Sequence, residues 1–368
     1  MKKYFKMIIV FCMFVTIMGC GSKEESLMKN VVVHTSVTPG GQFVQSITGE
    51  LDTKEVSQIS KSDYTFKGKA TGWMNKKEEN FEAKIEEVLV QGNNIELRFK
   101  EFPKKYFYVT KWEAINQKNP AYSMYSDQVV QVETPIADDF ETYEEDITYH
   151  LFVPQNKSKP LPIVLVFHGF SDTNNLLAYR TSTNWARQES QEKYPCIVMS
   201  PVIDDASYFD GNQRDQIYEK IYTHIQSMIQ KGMVDEKRVY VMGNSFGGMA
   251  TFEFSEKYPD FVSAALPLCP ALNYSETVYK QVDQIANLPI WIAHAKNDNT
   301  IQSTYSQQMY DALLEKGANR VQLKIYSDEE MNAAGGSSNP NSTYSYHHVE
   351  LAVMEDEAYA KWLFSQTK

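Results

Sequence analysis

Val239-Tyr240-Val241-Met242-Gly243-Asn244-Ser245-Phe246-Gly247-Gly248-Met249 is the stretch on which the reading of this chain turns. Four apolar residues break abruptly into Gly-Asn-Ser-Phe-Gly, with a glycine two positions either side of Ser245. A short continuous apolar run is what a parallel strand covered on both faces presents, and Met249 to Tyr258 carry no helix breaker until Pro259. Strand, sharp turn and helix in that order push a serine hydroxyl out above a sheet, the geometry of a nucleophile elbow. A structural turn also satisfies a bare G-x-S-x-G pattern. The flanking strand and helix are what single out Ser245 as a candidate nucleophile.

A serine hydroxyl is weakly nucleophilic at neutral pH, so it needs a base to take its proton and a carboxylate to orient that base. An elbow of this type supplies them in the chain order nucleophile, acid, histidine. Of the seven histidines, that order removes His34, His150, His168, His224 and His294 and leaves His347 and His348. The candidate acid is Asp298, just past the apolar run Pro289-Ile290-Trp291-Ile292-Ala293, with Asp328 as the spare. A loop of about twenty residues from Tyr326 to Tyr346 then delivers the histidine pair, and loops of that length in compact domains are usually functional. Neighbours on an extended loop point in opposite directions, so only one of the two can reach Ser245. An oxyanion hole needs two backbone N–H groups. Phe246, after the nucleophile, is one candidate donor, and Phe170, in His168-Gly169-Phe170 after the strand Ile163–Phe167, is the other.

Outward from these residues the composition divides near residue 135. Residues 31–135 offer short β-type runs at Val31–Val33, Phe43–Ile47, Tyr64–Phe66, Ala83–Val90, Ile95–Phe99 and Tyr106–Val109, with Gln91-Gly92-Asn93-Asn94 as a hairpin turn. The simplest reading is a small β-sandwich, although Asn80–Glu87 is also compatible with helix. From Ile147 strands alternate with helices, the signature of an α/β sheet: strands at 147–153, 163–167, 196–200, 262–268, 289–293 and 321–326, and helices at 213–231, 304–316 and 357–365. Residues 140–368 are therefore read as an α/β domain with a mostly parallel sheet. The segment Ala333–Asn341 is too rich in Gly, Ser and Asn to order itself.

The first twenty residues read as a processing segment: Lys2, Lys3 and Lys6, an apolar stretch from Met7 to Met18, then Gly19-Cys20. The apolar stretch is short for a bilayer span. Ile17-Met18-Gly19-Cys20 resembles a bacterial lipobox, which implies cleavage before Cys20, lipidation of its thiol and a tether over residues 21–30. An ordinary signal peptide cut near Gly21 is the alternative. Loss of the three leader lysines takes the formal charge from −11 to −14. An acidic exported chain is a poor nucleic-acid binder. Cys196 and Cys269 fall at opposite strand ends, so no disulfide is expected. No Cys/His cluster stands at zinc spacing, and no metal or cofactor is expected.

From His150 onward the sequence resembles the α/β-hydrolase superfamily, in particular exported esterases and peptidase-like hydrolases related to polyhydroxybutyrate depolymerases and feruloyl esterases. The matching pieces are Ile163–Gly169, Tyr194–Pro201, Arg238–Gly248 with Tyr258-Pro259-Asp260, Pro289–Asp298 and Trp362–Gln366. In such relatives the base precedes a tryptophan of the closing helix by fifteen residues, which selects His347 ahead of Trp362. The chain departs from the pattern at Tyr346, where a glycine is common, and at His294-Ala295, where His-Gly is usual. Residues 31–135 are similar, through Asp63–Phe66, Ile85–Val90 and Asn94–Phe99, to the immunoglobulin-like front module of some thermophilic esterases. The resemblance implies a lipid-anchored serine esterase at the bacterial surface with Ser245, Asp298 and His347 as its triad. Its substrate would be a decorated polysaccharide or a small acyl ester, its contact with the membrane would run through the N-terminal lipid, and an oligomer is compatible with it. A serine peptidase of the same fold and a non-catalytic, polysaccharide-binding surface lipoprotein are the alternatives.

Overall fold

The structure, a computed structural model, describes residues 26–52, 58–72, 77–155, 158, 160–170, 174–275, 277–339, 342 and 344–368. The leader read at 1–20, Cys20 itself and residues 21–25 of the tether lie outside the described residues.

Among the described residues the front unit contains β1 (Met28–Thr38), β2 (Gly41–Leu51), β3 (Tyr64–Ala70), β4 (Glu79–Ala83), β5 (Ile85–Gln91), β6 (Asn94–Phe99), β7 (Val109–Asn116), β8 (Met124–Tyr125) and β9 (Val129–Glu133). They form a five-stranded sheet in the order β5-β6-β2-β1-β9 and a four-stranded sheet in the order β4-β3-β7-β8. Side chains alternate across a strand, so each sheet turns one set inward. Ile47, Ile95 and Leu97 from the first sheet share one core with Phe66, Trp112 and Met124 from the second. The hairpin is present, with Gln91 opposite Asn94. The stretch 80–87 is strand on both sides of Lys84, because Phe81 and Ile85 are drawn into the core and such packing overrides local propensity. Tyr106–Tyr108 is a 3-10 turn that leads into β7, not a strand.

The second unit adds β10 (Glu141–Glu144), β11 (Thr148–Phe152), β12 (Leu161–Phe167), β13 (Ile197–Pro201), β14 (Val234–Asn244), β15 (Ala264–Leu268), β16 (Ile290–Ala295) and β17 (Val321–Tyr326). Its helices are α1 (Arg180–Thr183), α2 (Gln188–Lys193), α3 (Gly211–Gln230), α4 (Phe246–Lys257), α5 (Thr304–Glu315), α6 (Asp328–Ala333), α7 (Glu350–Val353) and α8 (Glu357–Ser365). The strands form one mixed sheet in the order β10-β11-β13-β12-β14-β15-β16-β17. Among the described residues, β10–β11 and β11–β13 pair antiparallel and the other neighbours in this sheet pair parallel. Strand β10 precedes the start expected at Ile147. Continuous apolar strands serve both faces of the sheet: Ile163, Leu165, Val239 and Val241 enter one core cluster, and Val164, Val166, Tyr240 and Met242 the other.

Helix α3 buries Ile221 and Ile225, and Asp210 caps it by accepting from the Asn212 and Gln213 N–H groups. The long connection after β17 is not all loop. Ser327 and Glu330 form a reciprocal capping box that starts α6, a two-residue signal outweighed in the sequence by the Gly/Ser-rich stretch that follows. The front unit abuts two of the loops at the C-terminal end of the parallel strands. The Phe43 ring stacks on Tyr344 at 6.4 Å, in the loop that carries His347. Phe107 and the Lys105 ammonium meet the Tyr179 ring at 5.7 and 4.8 Å, beyond Phe170.

Candidate active site

Ser245 occupies the single position between the last residue of β14 and the first of α4, with φ 57° and ψ −118°. Few non-glycine residues adopt such a backbone, and the strain persists only where the surroundings enforce it. The neighbours must therefore be small. A Cβ on Gly247 would lie 2.1 Å from the Phe167 carbonyl oxygen, and one on Gly243 would lie 2.5 Å from the Gly247 carbonyl oxygen. These are backbone atoms at the centre of the sheet and cannot swing away. Gly247→Ala is therefore expected to lower the melting midpoint and the activity together, since overpacking of this kind costs about 1–3 kcal/mol. An unchanged midpoint in a thermal melt would contradict this close packing.

The elbow aims the hydroxyl at His347, whose Nε2 lies 3.0 Å from Ser245 Oγ. His347 Nδ1 donates to Asp298 Oδ2 at 2.7 Å, which leaves Nε2 as the acceptor for the serine proton. Asp298 follows β16 and is fixed from several directions. Its Oδ1 accepts from the Thr300 and Ile301 N–H groups at 2.8 and 3.0 Å. Burial pushes the Asp298 pKa up, but the hydrogen bonds and positive potential of His294 and His347 outweigh it and hold the carboxyl well below the usual range.

The alternatives from the sequence lie elsewhere. His348 turns the other way, with Nδ1 2.8 Å from the buried Glu350. Asp328, the first residue of α6, accepts both contacts from Nδ2 of the exposed Asn297. Two neighbours went unread in the sequence. His294 is completely buried behind Asp298, its Nε2 3.2 Å from Oδ2 and 3.0 Å from the Ile301 carbonyl, while Nδ1 accepts from the Ser306 hydroxyl. Chain order excluded His294 as base, and because it sits on a strand its four-residue spacing to Asp298 announces no contact. Cys269, just after β15, directs its thiol to the His347 carbonyl at 3.1 Å, and burial pushes its pKa well up. Cys196 is likewise buried and free.

Phe246 opens α4, so its N–H belongs to the first turn, where no intrahelical acceptor exists. The Phe170 ring lies 5.5 Å from that of Phe246, which brings both proposed oxyanion donors to the same end of the sheet. His168 anchors the Phe170 loop. Its Nδ1 donates to the Gly169 carbonyl at 2.7 Å, its Nε2 accepts from the Ile203 N–H at 2.9 Å, and its carbonyl accepts from the Tyr208 hydroxyl. Desolvation lowers its pKa from 6.5 to about 4, against the smaller opposing effect of the Gly169 carbonyl.

Between those two values the unfolded chain binds a proton that the folded chain refuses, so stability is lost as pH falls through that window, by on the order of 3 kcal/mol for this group. Melting midpoints from pH 7 to pH 4 are expected to fall less steeply in His168→Gln than in the parent. Equal slopes would remove His168 as a source of acid sensitivity.

Among the described residues, the thiol of Cys269 and atoms of Asp298 and His347 come within 4.8 Å of one another, as do those of Glu145, Asp146 and His224. In the first group the two triad-like side chains already spend their ligating atoms on each other. The second is a surface cluster in which His224 Nε2 lies 2.6 Å from Asp146 Oδ1. A cavity of about 570 Å³ lined by Tyr222, Tyr258, Phe261 and Lys368 contains none of the residues around Ser245.

Comparison with known proteins agrees with this architecture. Residues 204–349 match the model of the dienelactone hydrolase family, a segment that holds Ser245, Asp298 and His347. A bifunctional acetylxylan esterase/xylanase of Neocallimastix patriciarum is 23% identical over 195 residues, 53% of this chain but only 27% of that protein. A protein of Acanthamoeba polyphaga mimivirus described as an alpha/beta hydrolase is 23% identical over 197 residues, 48% of this chain and 70% of its own length. Among solved structures, a thermostable esterase superposes with a TM-score of 0.71 at 22% identity, covering 92% of this chain and 100% of that one. That likeness shows the fold: the second unit has the α/β-hydrolase fold.

Proposed function

We propose that this chain is a serine hydrolase of carboxylic esters that works through an acyl-enzyme on Ser245. The observation that carries this reading is the continuous relay from Ser245 Oγ through His347 to Asp298, at 3.0 and 2.7 Å. Ser245 Oγ attacks the ester carbonyl while His347 Nε2 takes its proton, and Asp298 stabilises the imidazolium that results. The oxyanion is received by the N–H groups of Phe246 and Phe170. The C–O bond to the alcohol then breaks, His347 returns the proton to the departing alkoxide, and the acyl group stays on Ser245. Water, deprotonated by the same histidine, attacks the acyl carbon, the bond to Ser245 Oγ breaks as His347 returns the proton to that oxygen, and the acid is released.

Ester over peptide is favoured by the esterases among the similar proteins, and the acetylxylan esterase supports an ester on a decorated polysaccharide as one kind of substrate. Turnover of p-nitrophenyl esters against aminoacyl p-nitroanilides tests the choice. Ester hydrolysis that disappears with Ser245 supports the reading, whereas faster anilide cleavage favours a peptidase. The absence of both favours a non-catalytic surface protein.

We also propose that the chain is exported and held at the outer face of a bacterial membrane by lipid on Cys20, with residues 31–135 as an immunoglobulin-like module. Lys2, Lys3 and Lys6 ahead of the apolar stretch, and Gly19-Cys20 behind it, support this. Cys20→Ser is expected to move the protein from the membrane fraction to the soluble one or to block its processing. Unchanged fractionation and mass would favour an ordinary signal peptide.

A further inference from the structure

Three aromatic side chains are exposed among the described residues, Phe209, Tyr274 and Tyr344. Two of them converge on the residue after Ser245. Phe209 is 59% exposed and Tyr274 48%, and their ring centroids lie 5.3 and 4.9 Å from that of Phe246. Phe170 completes the surface at 5.6 Å from Phe209. Apolar rings gathered in solvent mark a binding surface more often than chance exposure.

The platform is also built from beneath. Buried Arg214, on α3, makes a bidentate pair with buried Glu253, on α4, at 2.8 and 2.9 Å. Arg214 also donates to the carbonyl of Tyr208, the neighbour of Phe209, at 2.7 Å, while the hydroxyl of Ser275, the neighbour of Tyr274, donates to Glu253 at 2.7 Å. One ion pair thus pins both ring-bearing loops, which limits the ordering cost when a ligand settles on them.

The platform's place around the tetrahedral carbon follows by elimination. Oγ holds one position, the oxyanion points to the N–H groups of Phe246 and Phe170, and the alcohol leaves on the side of His347, which must protonate it. The acyl group takes the remaining direction, and the aromatic surface built around the Phe246 ring is the apolar surface offered to it. The loop that carries Phe209 also bears Asp204, Asp205 and Asp210, so a negatively charged acyl group meets like charge.

We propose that Phe209 and Tyr274, with the rings of Phe170 and Phe246, form an acyl-binding platform that selects uncharged apolar acyl groups longer than acetyl. The proposal rests on the esterase reading above. Burial of two further methylenes, from acetyl to butanoyl, raises kcat/KM by about tenfold at the usual gain per methylene.

The test measures kcat/KM for p-nitrophenyl acetate, butanoate, hexanoate and 3-phenylpropanoate in the parent, in Phe209→Ala/Tyr274→Ala and in the conservative Phe209→Leu/Tyr274→Phe. The parent is expected to prefer the longer acyl groups. The alanine pair should lose at least about fivefold of that preference, and the conservative pair should keep it within about twofold. A rise on the hexanoate arm, the phenylpropanoate arm or both supports the platform and tells flexible chains from rings. Ser245-dependent acetate turnover with a flat acyl profile, or a preference untouched in the alanine pair, overturns the platform and leaves the esterase reading intact. No Ser245-dependent turnover of any ester overturns both.

Discussion

Ser245→Ala is expected to lower kcat on any ester substrate by roughly 10⁴-fold or more, because it removes the atom that forms the acyl-enzyme. What survives is the slower reaction assisted by the oxyanion hole and by binding alone. The fold should persist. The substitution takes away one oxygen and its 3.0 Å contact to His347, while the glycines that permit the elbow are untouched. Rates are to be read beside a thermal melt of the same sample. A variant with more than about a tenth of the parental rate would remove Ser245 from the mechanism.

The second large effect is an asymmetry between adjacent histidines. His347→Ala should nearly abolish turnover, since His347 is the side chain that links Ser245 Oγ to Asp298. His348→Ala should act on stability instead. Glu350 is buried, and although burial pushes its pKa up, the charge and hydrogen bond of His348 hold the carboxyl below its ordinary value. Without His348 the buried carboxylate loses its hydrogen-bond partner, a change that costs about 1–3 kcal/mol. The pair of variants therefore separates two readouts: kcat falls at 347 and the melting midpoint falls at 348. Reversed losses would make His348 the base, and full activity in both would end the triad reading.

The site was legible where its chemistry imposes a local pattern. Ser245 stood out because the elbow tolerates only glycine at 243 and 247, where a Cβ would strike backbone. Asp298 was readable from its place just past an apolar strand run, and the chain order narrowed seven histidines to two. The choice of His347 came from the spacing to Trp362 shared with similar proteins, not from periodicity. The unread parts are those made by contacts distant in sequence. The Cys269 thiol meets the His347 carbonyl across 78 positions, and Arg214 meets Glu253 across 39. No local pattern announces either. In the front unit, β7 carries Lys111 and Glu113 on its outer side and Trp112 and Ala114 within, an alternation too brief to rise above the surrounding polar sequence. The segment from β17 to His347 was read as one long loop because its Gly, Ser and Asn content outweighed the Ser327–Glu330 capping box that starts α6.

The central claim, that Ser245 is the nucleophile of a relay through His347, is tested most directly by covalent labelling with an aryl phosphonate, which traps an activated serine and cannot be turned over. Intact mass followed by peptide mapping is predicted to show a single adduct on the peptide that contains Ser245, formed much more slowly in His347→Ala and absent in Ser245→Ala. An adduct on another residue, or ester turnover that continues in a protein whose Ser245 is fully labelled, would contradict it.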